Sequence, residues 1–215
     1  MKIQLTNTRM SRRLTLWGWL LVVVFVSVSV GIWMFTIHDF LAHNHQLDAP
    51  ILVVEGYVPD FVLDSVADIW KNTPSLFVVC AGFPIQKGEF CYGVDNHADY
   101  NSEYLHNKGV GLQQLVSAPA LSVKKERTYT SALAAKEKLK ELGFDSGRLN
   151  VVCLGTHARR SLLLYRKAFK PGWDVGVISY TDNDYPEKWW KTSEGARAVV
   201  YEMFAYLYCA IFFHP

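Results

Sequence analysis

Leu149-Asn150-Val151-Val152-Cys153-Leu154-Gly155-Thr156-His157-Ala158-Arg159-Arg160-Ser161 reads as a short apolar strand that stops at a glycine and turns at once into a helix. The helix is expected over Thr156–Phe169 and is closed by Pro171-Gly172. A continuous apolar strand feeding a helix is the unit from which parallel sheets are built. Working outward, the same alternation repeats. Upstream, Ile51–Glu55 ends at Gly56, Ser75–Ala81 ends at Gly82, and Gln114–Ala118 is a weaker strand. Helices are expected from Pro59-Asp60 through Trp70, over His97–Lys108 and over Glu126–Leu142. Downstream, Val175–Tyr180 is a further strand and Ser193–Phe212 a very apolar last helix. Strands and helices in this succession predict an α/β domain with a mainly parallel sheet covered by helices on both faces.

The N-terminal part has another composition. Lys2, Arg9, Arg12 and Arg13 precede a 24-residue run without charge, Leu14–Ile37. A bilayer core needs about 20 apolar residues, so this run is long enough to cross one. Trp17, Trp19 and Trp33 lie toward its ends, where aromatic rings favour the interface. After the run Asp39 and Asp48 come first, and the next Lys or Arg is Lys71. The positive-inside rule then places the tail in the cytoplasm and the domain beyond the inner membrane, in the periplasm or outside the cell. A cleaved signal peptide would have a shorter apolar region and a small-x-small site, which Ile37-His38-Asp39-Phe40 does not provide. The expected organisation is a cytoplasmic basic tail (1–13), a transmembrane helix (14–37), a polar juxtamembrane linker (38–50) and the α/β domain (51–215). The lipid bilayer is therefore the first expected partner.

Charge narrows the function further. Apart from the four basic residues of the tail, 18 Lys and Arg face 20 acids, and nothing suggests a nucleic-acid surface. Cys80, Cys91, Cys153 and Cys209 show no zinc-ligand spacing. Cys80 and Cys153 read as packed thiols in strands, and a Cys80–Cys91 bridge is the alternative in an oxidising compartment. There is no P-loop, GxGxxG or nucleophile elbow. No metal site is assigned, and the sequence leaves the cofactor open. Asp182 and Asp184 read either as turn-forming acids or as oxygen ligands of a divalent cation.

Ligands of open α/β sheets collect beyond the carboxyl ends of the strands. Those ends select Glu55-Gly56, the Arg127-Thr128 helix start and the Gly155–Ser161 turn. Backbone amides at a helix start attract anions, and His157, Arg159 and Arg160 add positive charge. Gly56, Arg127, Thr128, His157, Arg159 and Arg160 are thus the candidate ligand-binding residues, for a phosphate-bearing ligand. Glu55 and His157 are the candidate acid–base pair. Glu55 reads equally as an ion-pair partner of Arg127 or Arg160, and Thr128 equally as a helix cap. His97 reads either as a replacement acid or as an exposed residue at a helix start. Trp189-Trp190 fits either the core or a contact with lipid or sugar.

Leu52-Val53-Val54-Glu55-Gly56, Arg127-Thr128-Tyr129 with Ala132, and His157-Ala158-Arg159-Arg160 together resemble the bacterial ElyC/SanA/YdcF family, over about Ile51 to the C-terminus. The resemblance implies a Rossmann-like sheet and a role in the bacterial envelope, with no assigned reaction. Three roles fit the residues: an envelope enzyme acting on a phosphate-bearing or lipid-linked intermediate, a non-catalytic binding or regulatory module using the same anion pocket, and a structural membrane partner that contacts other envelope proteins. The chain departs from the family pattern at two places. His97-Ala98 stands where the family has Glu-Ala, and Thr128-Tyr129-Thr130-Ser131-Ala132 lacks the family's Glu and Asn. It resembles a divergent branch.

Overall fold

The computed structural model describes residues 14–85, 93–181 and 188–215. Two compact units divide the chain, residues 1–36 and 37–215. The first is dominated by α1 (Leu16–Leu41), whose last turn belongs to the second unit. At 1.5 Å rise per residue its 26 residues extend about 39 Å, more than a hydrocarbon core. Its apolar side chains are exposed on every side from Leu16 to Phe35. Among the described residues it is the one helix long and apolar enough to cross a membrane.

The second unit contains β1 (Ile51–Glu55), α2 (Asp60–Asn72), β2 (Phe77–Gly82), α3 (His97–Asn107), β3 (Leu115–Pro119) and α4 (Arg127–Glu141). It continues with β4 (Gly147–Leu154), α5 (Ala158–Phe169), β5 (Trp173–Tyr180) and α6 (Ser193–Ile211). The five strands form one parallel sheet in the order β3-β2-β1-β4-β5. This is the expected Rossmann-like α/β architecture, with each strand within two residues of its predicted start and end.

Alternation along each strand divides the core in two. Ile51, Val53, Val79, Val151, Cys153 and Val177 face α4 and α5. Leu52, Val54, Val78, Cys80, Val152 and Ile178 face α2 and α3. The chain winds outward from β1 to β3, returns to β4 and winds outward again. Helices change face at that return, so a crevice opens between the carboxyl ends of β1 and β4. Cys80 and Cys153 are buried free thiols, as their apolar strands suggested, and burial drives both thiol pKa values up. Cys91 lies outside the described residues, so the alternative bridge partner is not described.

The polar juxtamembrane link, 38–50, packs against the domain. Ile37 and Leu41 are buried, His45 exchanges two backbone hydrogen bonds with Val177, and the buried Asn150 side chain binds both the N–H and the C=O of Leu47. Polar composition hid this packing because its partners are backbone groups and an amide 103 residues away. His97 is no exposed helix start. It is buried between the rings of Tyr57 and Phe83. Its niche exists because Gly56 and Gly82 have no side chains. A Cβ on Gly82 would stand 2.7 Å from Ala98 N and 2.9 Å from His97 Cβ. Gly82→Ala is therefore expected to destabilise the domain by about 1–3 kcal/mol through overpacking, measured as a lower unfolding midpoint of the purified protein.

Candidate functional site

β1 ends in Glu55, whose side chain follows Val53 onto the face covered by α4 and α5. The residue is 8% exposed. A buried carboxylate requires a compensating charge. Across the crevice, Gly155–His157 forms a single 3-10 turn between β4 and α5 and brings His157 to it. His157 Nε2 lies 3.2 Å from Glu55 Oε2, and Nδ1 lies 3.1 Å from Glu202 Oε1. Arg160, one turn into α5, grips Glu202 with two groups, Nε to Oε2 at 2.7 Å and Nη2 to Oε1 at 2.9 Å. Arg160 Nη2 also approaches His157 Nδ1 to 2.9 Å, a proximity that their shared acceptor, Glu202 Oε1, makes tolerable.

The four groups form two carboxylates and two cations, neutral as a set. Burial disfavours the charged imidazole, but Glu55 and Glu202 outweigh it and raise His157 to a pKa of about 9. Burial alone would push Glu202 up, but His157 and Arg160 draw it down to about 2. Arg160 loses to burial and regains more from Glu202, so its pKa is raised. At neutral pH the imidazole is therefore a cation held at both nitrogens. Glu55 Oε1 remains a buried acceptor without a hydrogen-bond partner among the described residues. Tyr165 Oη, nearby on α5, is a second such buried atom, and its pKa is driven well up by burial and then by Glu55.

The remaining candidates lie in different surroundings. Gly56 follows Glu55 directly, and the buried Asn101 of α3 donates to the carbonyls of both. Arg127 opens α4 with an exposed guanidinium 4.7 Å above the Phe83 ring. With Phe83, Pro84, Ser122, Val123 and Lys124 it lines an open depression of about 380 Å³. Thr128 is half-buried in the first turn of α4 and is not its cap. That position belongs to Glu126, in a left-handed conformation (φ 56°) with no side-chain cap bond. Arg159 turns away from the crevice, with its guanidinium 3.8 Å over the Phe40 ring and a bond from Nε to the Phe40 carbonyl. Glu55 is paired with His157, not with either of the arginines expected. Trp189 is buried in the core, and Asp182 and Asp184 lie outside the described residues. No group of three or more potential metal ligands occurs among the described residues.

Glu202 is the member of the buried cluster that sequence reasoning missed. It looked like one of three charges interrupting an apolar helix. The available signal was its isolation, since 198–213 contains no other charged residue. A lone acid in such a stretch has to find a buried cation.

No family model matches the chain, and no curated protein matches its sequence. The ElyC/SanA/YdcF resemblance thus rests on the motifs themselves.

The cluster sets the pH dependence of stability. Glu202 binds its proton more weakly in the folded state, so its contribution is complete above its ordinary 4.5 and is lost as pH falls toward 2. His157 binds its proton more tightly when folded, so its contribution is complete below its ordinary 6.5 and is lost as pH rises through 9. Thermal unfolding between pH 3 and 10 should show a maximum between these limits. Glu202→Gln should lower that maximum and flatten the acid limb; an unchanged profile would remove the cluster from the stability account.

Proposed function

We propose that this chain is a bacterial envelope protein of ElyC/SanA/YdcF type, anchored in the inner membrane by α1. Its N-terminus is cytoplasmic and its α/β domain lies in the periplasm or outside the cell. The domain binds a phosphate-bearing ligand, a nucleotide or lipid-linked intermediate of envelope or cell-wall biogenesis, at the carboxyl edge of its sheet. The observation that carries this reading is the Glu55–His157 pair, buried at the β1–β4 crevice and joined by Glu202 and Arg160. Such a concentration of ionisable groups at the reversal of strand order is where an α/β domain places its ligand chemistry.

The roles divide along the edge. Arg127, with Lys124 beside it in the depression, supplies the charge for phosphate, and Thr128 stands in the same helix turn. Gly56 allows close approach next to Glu55. Glu55 and His157 share a proton that a bound group can take or return. Arg160 holds Glu202 and is a positioning residue, because its charge is already compensated. Arg159, turned to Phe40, takes no part in the site.

A non-catalytic binding or regulatory module is the second reading, and one observation favours it. Both ring nitrogens of His157 are engaged by carboxylates, which holds the ring still and leaves neither nitrogen open to a substrate. The Glu and Asn that the family carries near Thr128 are also absent from this sequence. Turnover of a phosphate ester by the wild type, abolished by Glu55→Gln, would exclude this reading.

Two measurements test the proposal. Titration calorimetry with inorganic pyrophosphate should show that Arg127→Ala weakens binding by about 1.5–3 kcal/mol, the usual worth of a hydrogen bond to a charged group. Equal affinity in wild type and variant would defeat the anion site. A reporter fused after Pro215 should be active only as a periplasmic or extracellular fusion, and activity of a cytoplasmic reporter would reverse the topology.

A further inference from the structure

The side of α5 that covers the sheet carries two hydroxyls among apolar groups. Ser161 and Tyr165 stand one turn apart on the side that also buries Ala158, Leu162 and Phe169. Both are fully buried. Beneath them β1 and β4 run parallel, with Val53 opposite Val151 and Val54 opposite Val152. One step further along the same register, Glu55 and Cys153 are neighbours on one face, about 5 Å apart across the ladder. The Glu55 side chain is nine-tenths buried. The two layers meet at these residues. Apart from the effect of burial, Tyr165 is within electrostatic reach of Glu55 and Cys153, and Cys153 is within reach of Glu55 and meets the Ser161 hydroxyl.

Three atoms of this set, Glu55 Oε1, Ser161 Oγ and Tyr165 Oη, are buried and have no hydrogen-bond partner among the described residues, so none of them bonds to another. Folded proteins pair nearly all of their buried polar atoms, because an orphaned group loses its bond to water and gains nothing for it. What these three require is chemically specific. A carboxylate oxygen only accepts, so the partner of Oε1 has to donate. Each hydroxyl both donates and accepts. The cations of the cluster are already engaged, His157 Nε2 with Glu55 Oε2 and Arg160 Nε with Glu202 Oε2. A further cation would add charge to a set that is already neutral, in a place where unbalanced charge is costly. The partner is therefore small, neutral, and both donor and acceptor.

We infer that one ordered water molecule is bound between the end of β1 and the buried side of α5, held by Glu55 Oε1, Ser161 Oγ and Tyr165 Oη. Three polar partners are the usual complement of a buried water. The water donates to the second oxygen of Glu55 while the first stays with His157. The carboxylate is thus bonded at both oxygens, in the place where the acid–base pair sits. The site stands on the buried cluster alone and does not depend on a phosphate-bearing ligand.

A crystal structure of the full chain, at a resolution that shows ordered solvent, should contain one density peak within hydrogen-bond distance of all three atoms. The variant Tyr165→Phe, which keeps the ring and removes only the hydroxyl, should lose it. A Tyr165 hydroxyl donating directly to Glu55 Oε1 with no peak between them overturns the inference, and so does a peak with the short contacts of a coordinated cation. Oxygen-17 relaxation dispersion of the solvent gives the same answer in detergent solution, because it counts waters of long residence. The wild type should hold one more than Tyr165→Phe, with Ser161→Ala as the second variant should the first fail to fold; equal counts overturn the site. Thermal unfolding supplies a third readout of opposite sign in the two cases. Removing a hydroxyl bonded to water lowers the midpoint, whereas removing a dry, unpaired one raises it, and a raised midpoint in Tyr165→Phe overturns the inference.

Discussion

A carboxylate at the end of a strand buried on both faces is costly in a low-dielectric interior unless a cation meets it there. Glu55 imposes this condition on β1, whose Val53 and Val54 are fully buried. His157 meets it from across the crevice, and its charge in turn needs Glu202, which is held by Arg160. One requirement at one strand end thus fixes the β4–α5 turn, the first turn of α5 and the docking of α6. Removing any member leaves another charge buried without its partner, the situation in which buried ion pairs matter most.

The same arithmetic separates the cations matched by carboxylates from those that line an open depression. His157 and Arg160 are matched by carboxylates, whereas Arg127 and Lys124 line an open depression on the same edge of the sheet. The proposed ligand chemistry therefore divides into a proton-holding cluster and an adjacent charge for phosphate.

The residues that follow the apolar run belong to the domain. The last turn of α1 is packed into the second unit, Asn150 pins Leu47, and Phe40 lies between Arg159 and Tyr206.

The strands, helices and candidate span were legible because each rests on local periodicity and composition. Unbroken apolar runs ending in glycine marked parallel strands, and 24 uncharged residues marked a span. Glu55, His157 and Arg160 were also legible, since the rule that strand ends share one edge needs only the order of elements. Three features were not. The burial of His97 depends on space left by two glycines in different loops. The packing of 38–50 depends on an asparagine 103 residues from its partner. The place of Glu202 depends on which side of α6 meets α5. The sequence alone therefore determined the fold class, the candidate span and which strand ends share one edge, because short-range pattern is enough for those. Only the tertiary structure decided which charges neutralise one another and which stay open, because electrostatic pairing is set by distance in space and by burial, and neither is written along the chain.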